Sequence, residues 1–119
     1  MNFVNLILIQ LILINLVFGN EDYKPLIQEI LVPRNLNENQ TIKLNCELVQ
    51  GYLPTTIDWY LNDKKLEDDN TRIKIKKSDD SATLMIKYLS VDDNGDYYCL
   101  AANQYGEHRR HASVYVNSK

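Results

Sequence analysis

From residue 41 to residue 116 the chain alternates apolar and polar positions in short runs. Ile42, Leu44, Cys46 and Leu48 alternate with Thr41, Lys43, Asn45 and Glu47. A period of two with one apolar side predicts a half-buried β-strand. Ile57, Trp59 and Leu61 then share a side against Asp58 and Tyr60, and Asn62-Asp63 supplies turn chemistry. Further on, Ile73 and Ile75 alternate with Lys74 and Lys76. Leu84 and Ile86 do so with Thr83, Met85 and Lys87. Two last runs place Tyr97, Cys99 and Ala101, then Ala112, Val114 and Val116, on their apolar sides. Ahead of them, Leu26 to Val32 reads as a first strand ending at Pro33, which an edge strand tolerates. Many short strands with turn residues between them predict an all-β sandwich. The agreement among the strands weighs more than any one run.

The N-terminus follows a different pattern. Residues 3–18 are apolar except for Asn5, Gln10 and Asn15, and no charge precedes Glu21. Val17 and Gly19 stand at −3 and −1 of a cleavage point. This predicts a signal peptide over residues 1–19, removed on secretion. The run is short for a spanning helix, which needs ~20 apolar residues. The absence of Lys or Arg near the start keeps an uncleaved membrane anchor as the alternative. Residues 20–25 read as a flexible tail and 26–117 as the folded domain. No second apolar segment follows, so the expected product is a free, secreted, extracellular domain. A fragment of a larger multidomain receptor is a further alternative.

Composition narrows the chemistry. A length of 119 residues accommodates one domain. A net charge of −3 with mixed signs excludes the basic balance of a nucleic-acid binder. The two cysteines are far apart, with no CxxC and no metal-type cluster. His108 and His111 lie three apart on an expected strand, so they face opposite sides and cannot share an ion. Asp68-Asp69, Asp79-Asp80 and Asp92-Asp93 fall in loops and read as solvated turns. No nucleophile–base constellation or phosphate loop is present. Neither an enzyme nor a cofactor, metal or small-molecule substrate is expected.

Cys46, Trp59 and Cys99, with Asp93-x-Gly95-x-Tyr97-x-Cys99-x-Ala101-x-Asn103, resemble the intermediate set (I-set) of the immunoglobulin superfamily. Arg72, Leu89 and Gly106 extend the resemblance, which covers roughly Leu26 to Val116. It implies an immunoglobulin-like sandwich of two antiparallel sheets joined by a Cys46–Cys99 disulfide. The chain-entropy model values such a bridge at ~4 kcal/mol. It further implies that Trp59 packs on the sulfurs and that Arg72 pairs with Asp93. Gly95 is then the flexible turn residue, and the Tyr97 hydroxyl bonds backbone upstream. Asn39 and Asp63 stand where the family often has glycine; both residue types tolerate left-handed backbone. Similar small extracellular proteins are linked to neural adhesion, axon guidance or synapse organisation. The resemblance thus implies a recognition module for an extracellular or cell-surface protein, a second copy included.

Three surfaces are candidates for recognition. By strand parity Tyr60, Tyr98, Leu100 and Tyr115 point outward from one sheet, and aromatics are enriched in interface cores. Cross-strand pairing alone also accounts for tyrosines on a sheet. On the opposite sheet Lys43, Lys74, Lys76 and Lys87 share the outer side. Such a row attracts a sulfated glycan or an acidic partner; it also serves as a solvated face guarding an edge strand. Asn39-Gln40-Thr41 is an N-glycosylation sequon on an expected surface turn.

Overall fold

The computed structural model of the chain describes residues 4–10 and 23–118. Most of the expected leader lies outside the described residues; its residues 4–10 are helical and exposed. Among the described residues no helix is long and apolar enough to cross a membrane.

Ten strands follow. They are β1 (Leu26–Ile27), β2 (Leu36–Asn37), β3 (Ile42–Gln50), β4 (Thr56–Leu61) and β5 (Lys64–Lys65). After them come β6 (Ile73–Lys77), β7 (Ser81–Ile86), β8 (Gly95–Asn103), β9 (Gly106–Val114) and β10 (Val116–Asn117). Two antiparallel four-stranded sheets, β1-β3-β7-β6 and β5-β4-β8-β9, pack face to face. A short parallel pair, β2 with β10, closes one edge.

The apolar runs meet between the layers. Ile42, Leu44, Cys46, Ala82, Leu84 and Ile86 from one sheet are buried against Ile57, Trp59, Tyr97, Cys99, Ala101, Ala112 and Val114 from the other. Each buried aliphatic side chain of this kind stabilises the fold by about 1.5–3 kcal/mol. The Cys46–Cys99 disulfide crosses the core with Cα atoms 6.3 Å apart. Trp59 is fully buried, and its Nε1–H donates across the layers to the Ala82 carbonyl at 2.9 Å. Its one polar atom is therefore satisfied in the apolar interior, as a buried donor must be.

The first strand departs from the sequence expectation. Instead of one run from Leu26 to Val32, β1 spans two residues and pairs β3 with a register shift. Pro33 and the positive φ of Asn35 (59°) then turn the chain, and β2 crosses to pair with β10 in the other layer. The tail also departs. Tyr23 is tied down: Tyr52 N–H donates to its carbonyl at 3.1 Å, and Asn103 Nδ2 donates to the same oxygen at 2.7 Å. Pro25 is buried. Where residues 20–25 read as a flexible tail, Tyr23–Pro25 are part of the domain.

The turns carry the strain that glycine usually relieves. Asn39 (φ 70°) and the β4–β5 pair Asn62 (50°) and Asp63 (68°) all adopt left-handed backbone. Two successive positive φ values match the right-handed twist of a tight hairpin. Gly95 is needed for another reason than expected. Its φ is not positive, but a Cβ there would meet Leu61 Cδ1 at 2.7 Å. Glycine here spares the Leu61 side chain a shift rather than supplying backbone freedom.

Candidate functional site

Both ends of the β8 strand are built by residues that the motif named. At its start, Ser90 caps a short 3-10 turn, Val91–Asp93. Ser90 N–H donates to Asp93 Oδ2 at 2.9 Å, and Asp92 N–H donates to Ser90 Oγ at 3.2 Å. Asp93 is buried and takes a bidentate pair from Arg72, with Nη1 and Nη2 at 2.8 and 2.9 Å from its two carboxylate oxygens. Such forked pairs are stronger than single neutral hydrogen bonds. The hydrogen bond to Asp93, with the attraction of its charge, pushes the Arg72 pKa up. The Tyr97 hydroxyl donates to the Asp93 carbonyl at 2.7 Å. Burial, and then the Asp93 charge, push that hydroxyl up to about 12. Asn94 Oδ1 accepts from Val116 N–H at 2.6 Å, fastening β10 to the same turn. This corner is scaffold: its groups are consumed by one another.

The outer face of β5-β4-β8-β9 has free chemistry. Its rows follow the register: Lys65, Tyr60, Tyr98 and His111 form one, and Asp58, Leu100 and Arg109 the next. Tyr60 and Tyr98 stack with ring centroids 4.8 Å apart and planes 10° off parallel. The Arg109 guanidinium lies 4.2 Å from the Tyr98 ring centre. A cation over a tyrosine face contributes about 0.5–1 kcal/mol at an exposed site. His111 tilts against Tyr98 from the other side, at 5.4 Å, and its Nδ1 lies 3.1 Å from Asp96 Oδ2. Asp58 is held between Lys65 and Lys77.

Two of the four expected contact residues are therefore placed differently. Tyr98 was expected to face solvent, but Tyr60, Arg109 and His111 cover it, leaving 5% exposed. Burial, and then a hydrogen bond to Asp63, raise its hydroxyl pKa above the usual range. Tyr115 does face solvent, at 71% exposure. It sits between β9 and β10, two outward positions beyond His111, or about 13 Å along the strand. It does not join the aromatic pair. Tyr60 and Leu100 remain half-buried at the centre of the face. The presented surface is thus Leu100, Tyr60 and the Arg109 guanidinium over a tyrosine floor. Arg109 was legible by parity, because it stands opposite Leu100.

The neighbouring histidine points the other way. His108 Nδ1 accepts from Ile27 N–H at 2.9 Å, while Arg110 Nε donates to the Ile27 carbonyl at 3.3 Å. These two side chains clasp β1 to β9. Burial, and then the Arg110 charge, lower the His108 pKa.

A second aromatic group went unanticipated. Tyr23, Tyr52 and Tyr105 gather at the loop end of the sandwich, with centroids 4.6, 5.0 and 5.7 Å apart. Asn103 holds them by donating to the Tyr23 and Tyr52 carbonyls. Gly106, at φ 151°, leaves room for Lys24 beside this group. Only the fold brings residues so distant in sequence together, and no local motif announces it. Asn39 is exposed at its turn, with its main-chain N–H bonded to the Leu89 carbonyl at 2.8 Å. Among the described residues no group of three His, Cys, Asp or Glu is placed to hold a metal.

Comparison with known proteins agrees with this architecture. The Dscam1 Ig7 domain, isoform 5, superposes with a TM-score of 0.74 at 26% identity, over 78% of this chain and 96% of that one. The M1 domain from titin gives 0.68 at 25% identity, over 78% and 94%. Among curated proteins, the chain is 30% identical over 91 residues to human neural cell adhesion molecule 1, spanning 75% of the chain and 10% of that protein. It is 33% identical over 76 residues to the myoblast growth factor receptor egl-15 of Caenorhabditis elegans, spanning 63% and 7%. Mouse junctional adhesion molecule C is 30% identical over 92 residues, 72% of the chain and 30% of that protein. The chain thus corresponds to a small part of these relatives, which by name are adhesion and receptor proteins. Residues 25–116 match the Immunoglobulin I-set domain family, and the chain belongs to it.

Proposed function

We propose that the chain is an extracellular recognition module that binds a cell-surface or secreted protein through the outer face of β5-β4-β8-β9. The observation that carries this is the Leu100–Tyr60–Arg109 surface over the Tyr60–Tyr98 stack. A tyrosine and an arginine on a rigid sheet are the side chains that anchor protein interfaces, and Leu100 adds apolar area beside them. The stack holds Arg109 in place before binding, so less side-chain entropy is lost on contact. The kinship with adhesion and receptor proteins supports the same reading.

In this reading residues 1–19 direct secretion and are removed, and Asn39 carries an N-linked glycan at the β2–β3 turn. A second reading retains the apolar run as a membrane anchor, which the same sixteen residues 3–18 support. N-terminal sequencing of exported material separates them: a start near Asn20 ends the anchored reading. Release of mass by peptide-N-glycosidase, absent in Asn39→Gln, tests the glycan.

The binding claim is tested by screening the multimerised domain against a library of extracellular domains, itself included. Capture of a protein by the wild type but not by Leu100→Asp, with the fold intact, supports the reading. Equal capture by both discards this face. Adhesion roles such as axon guidance or synapse organisation depend on which protein is captured.

A further inference from the structure

On the opposite sheet, the register sets Lys43, Met85 and Lys74 in one cross-strand row and Asn45, Thr83 and Lys76 in the next. Lys87 directly follows β7, two residues beyond the outward Met85. Lys43, Lys74 and Lys76 are exposed and Lys87 half-buried. Lys74 and Lys76 are about 7 Å apart along β6, and Lys43 lies about 10 Å from Lys74 across two strand spacings. Among the described residues none of the four makes an ion pair. Lys65 and Lys77, by contrast, share Asp58. The chain is acidic overall, and these lysines gather at one end of this face, with Glu47 on the same outer side of β3 two residues beyond Asn45.

The carboxylates beside β6 are turned to another task. Asp69 Oδ1 accepts from Ile73 N–H at 2.8 Å and Asp68 Oδ2 from Ile75 N–H at 3.1 Å, along the open edge of β6. Asp69 also takes Thr71 N–H, and Asp68 takes Asn70 N–H. These bonds cap the edge donors a peptide would need to add as a further strand. At the centre of the Lys43–Met85–Lys74 row stands a half-buried Met85, with no aromatic in either cross-strand row. These rows have no anchor of the kind that protein interfaces use. Flexible ammonium groups at regular spacing instead complement a chain of regularly spaced anions.

We propose that the outer face of β1-β3-β7-β6 binds a sulfated glycosaminoglycan through Lys43, Lys74, Lys76 and Lys87. The site is independent of the recognition face on the other sheet, so the domain holds matrix polysaccharide and protein on opposite sides.

The test uses the folded full domain and a heparin octasaccharide. Wild type is expected to stay on a heparin column above about 0.15 M salt, where weak surface attraction is already screened. Lys74→Glu/Lys76→Glu is expected to elute below that and to bind the octasaccharide at least about tenfold more weakly. Its thermal midpoint should not move, since these side chains make no bond. Arg109→Glu on the opposite face should elute with wild type. Elution of the wild type at or below about 0.15 M salt overturns the proposal. Equal retention of the lysine variant and loss with Arg109→Glu overturn it as well. Capture by anionic vesicles or polyglutamate, with none by the octasaccharide, assigns the face to another class and also overturns it.

Discussion

Replacing Asp93 with Ala strikes the corner that fixes the start of β8. The substitution removes two charge-assisted bonds from Arg72 and the bond from Ser90 N–H. Loss of such a cap alone costs about 1 kcal/mol. Breaking a buried ion pair costs about 3–5 kcal/mol when the survivor stays buried. The Arg72 side chain, however, is 36% exposed and can rehydrate, which moves the pair to the low end of that range or below it. The sum is about 3 kcal/mol. For a domain of this size each kcal/mol lowers Tm by about 4–8 °C, so a fall of at least 12 °C is expected. Urea unfolding should show a lower midpoint with unchanged slope. Arg72→Ala should cost at least as much, because it leaves the buried Asp93 carboxylate with only the Ser90 bond, and the double variant should be less than additive. A loss below about 1 kcal/mol in Asp93→Ala, or strict additivity with Arg72→Ala, would refute the assignment of this corner as a coupled structural unit.

Other perturbations follow from the same geometry. Gly95→Ala forces its new Cβ on Leu61 Cδ1, a side-chain end that can shift, so the expected cost is about 1–3 kcal/mol by urea titration. No loss would mean that β4 and β8 approach less closely than described. Removing the disulfide in Cys46→Ala/Cys99→Ala opens a link across 53 residues and should cost about 4 kcal/mol, read as the difference in unfolding midpoint. A neutral result would contradict a bridged core. His108 titrates lower folded than unfolded, so its contribution is present above its unfolded value, near 6.5, and is lost as pH falls through the folded value. Tm should fall on acidification below 6.5, and His108→Gln, whose amide oxygen can still accept from Ile27 N–H, should flatten that slope. Identical slopes for the two proteins would remove His108 from the β1–β9 clasp.

The sequence made the middle of each sheet legible. Between two packed layers every second side chain must be apolar, so period two fixes both strand and facing for β3, β4, β7 and β8. The Asp93–Cys99 motif is local in sequence, and within it the Tyr97 hydroxyl reaches back to the Asp93 carbonyl. Three features escaped, two because they depend on contacts remote in sequence and one because it rests on backbone conformation. Parity marks Tyr98 as outward, but cannot tell that Tyr60 and Arg109 lie over it. The path from β1 to β2 is set by Asn35 and Pro33 acting on backbone, which hydrophobic spacing does not register. Tyr23 has no apolar run around it, and only the loop ends carrying Tyr52 and Tyr105 give it a place to dock.

The central claim is that one sheet face recognises a protein. Staining of living cells with a fluorescent tetramer of the domain tests it most directly, before and after surface protease and heparinase. On heparinase-treated cells wild type is predicted to stain in a protease-sensitive manner, and Leu100→Asp/Arg109→Glu to leave those cells dark. Equal staining by the variant would contradict it.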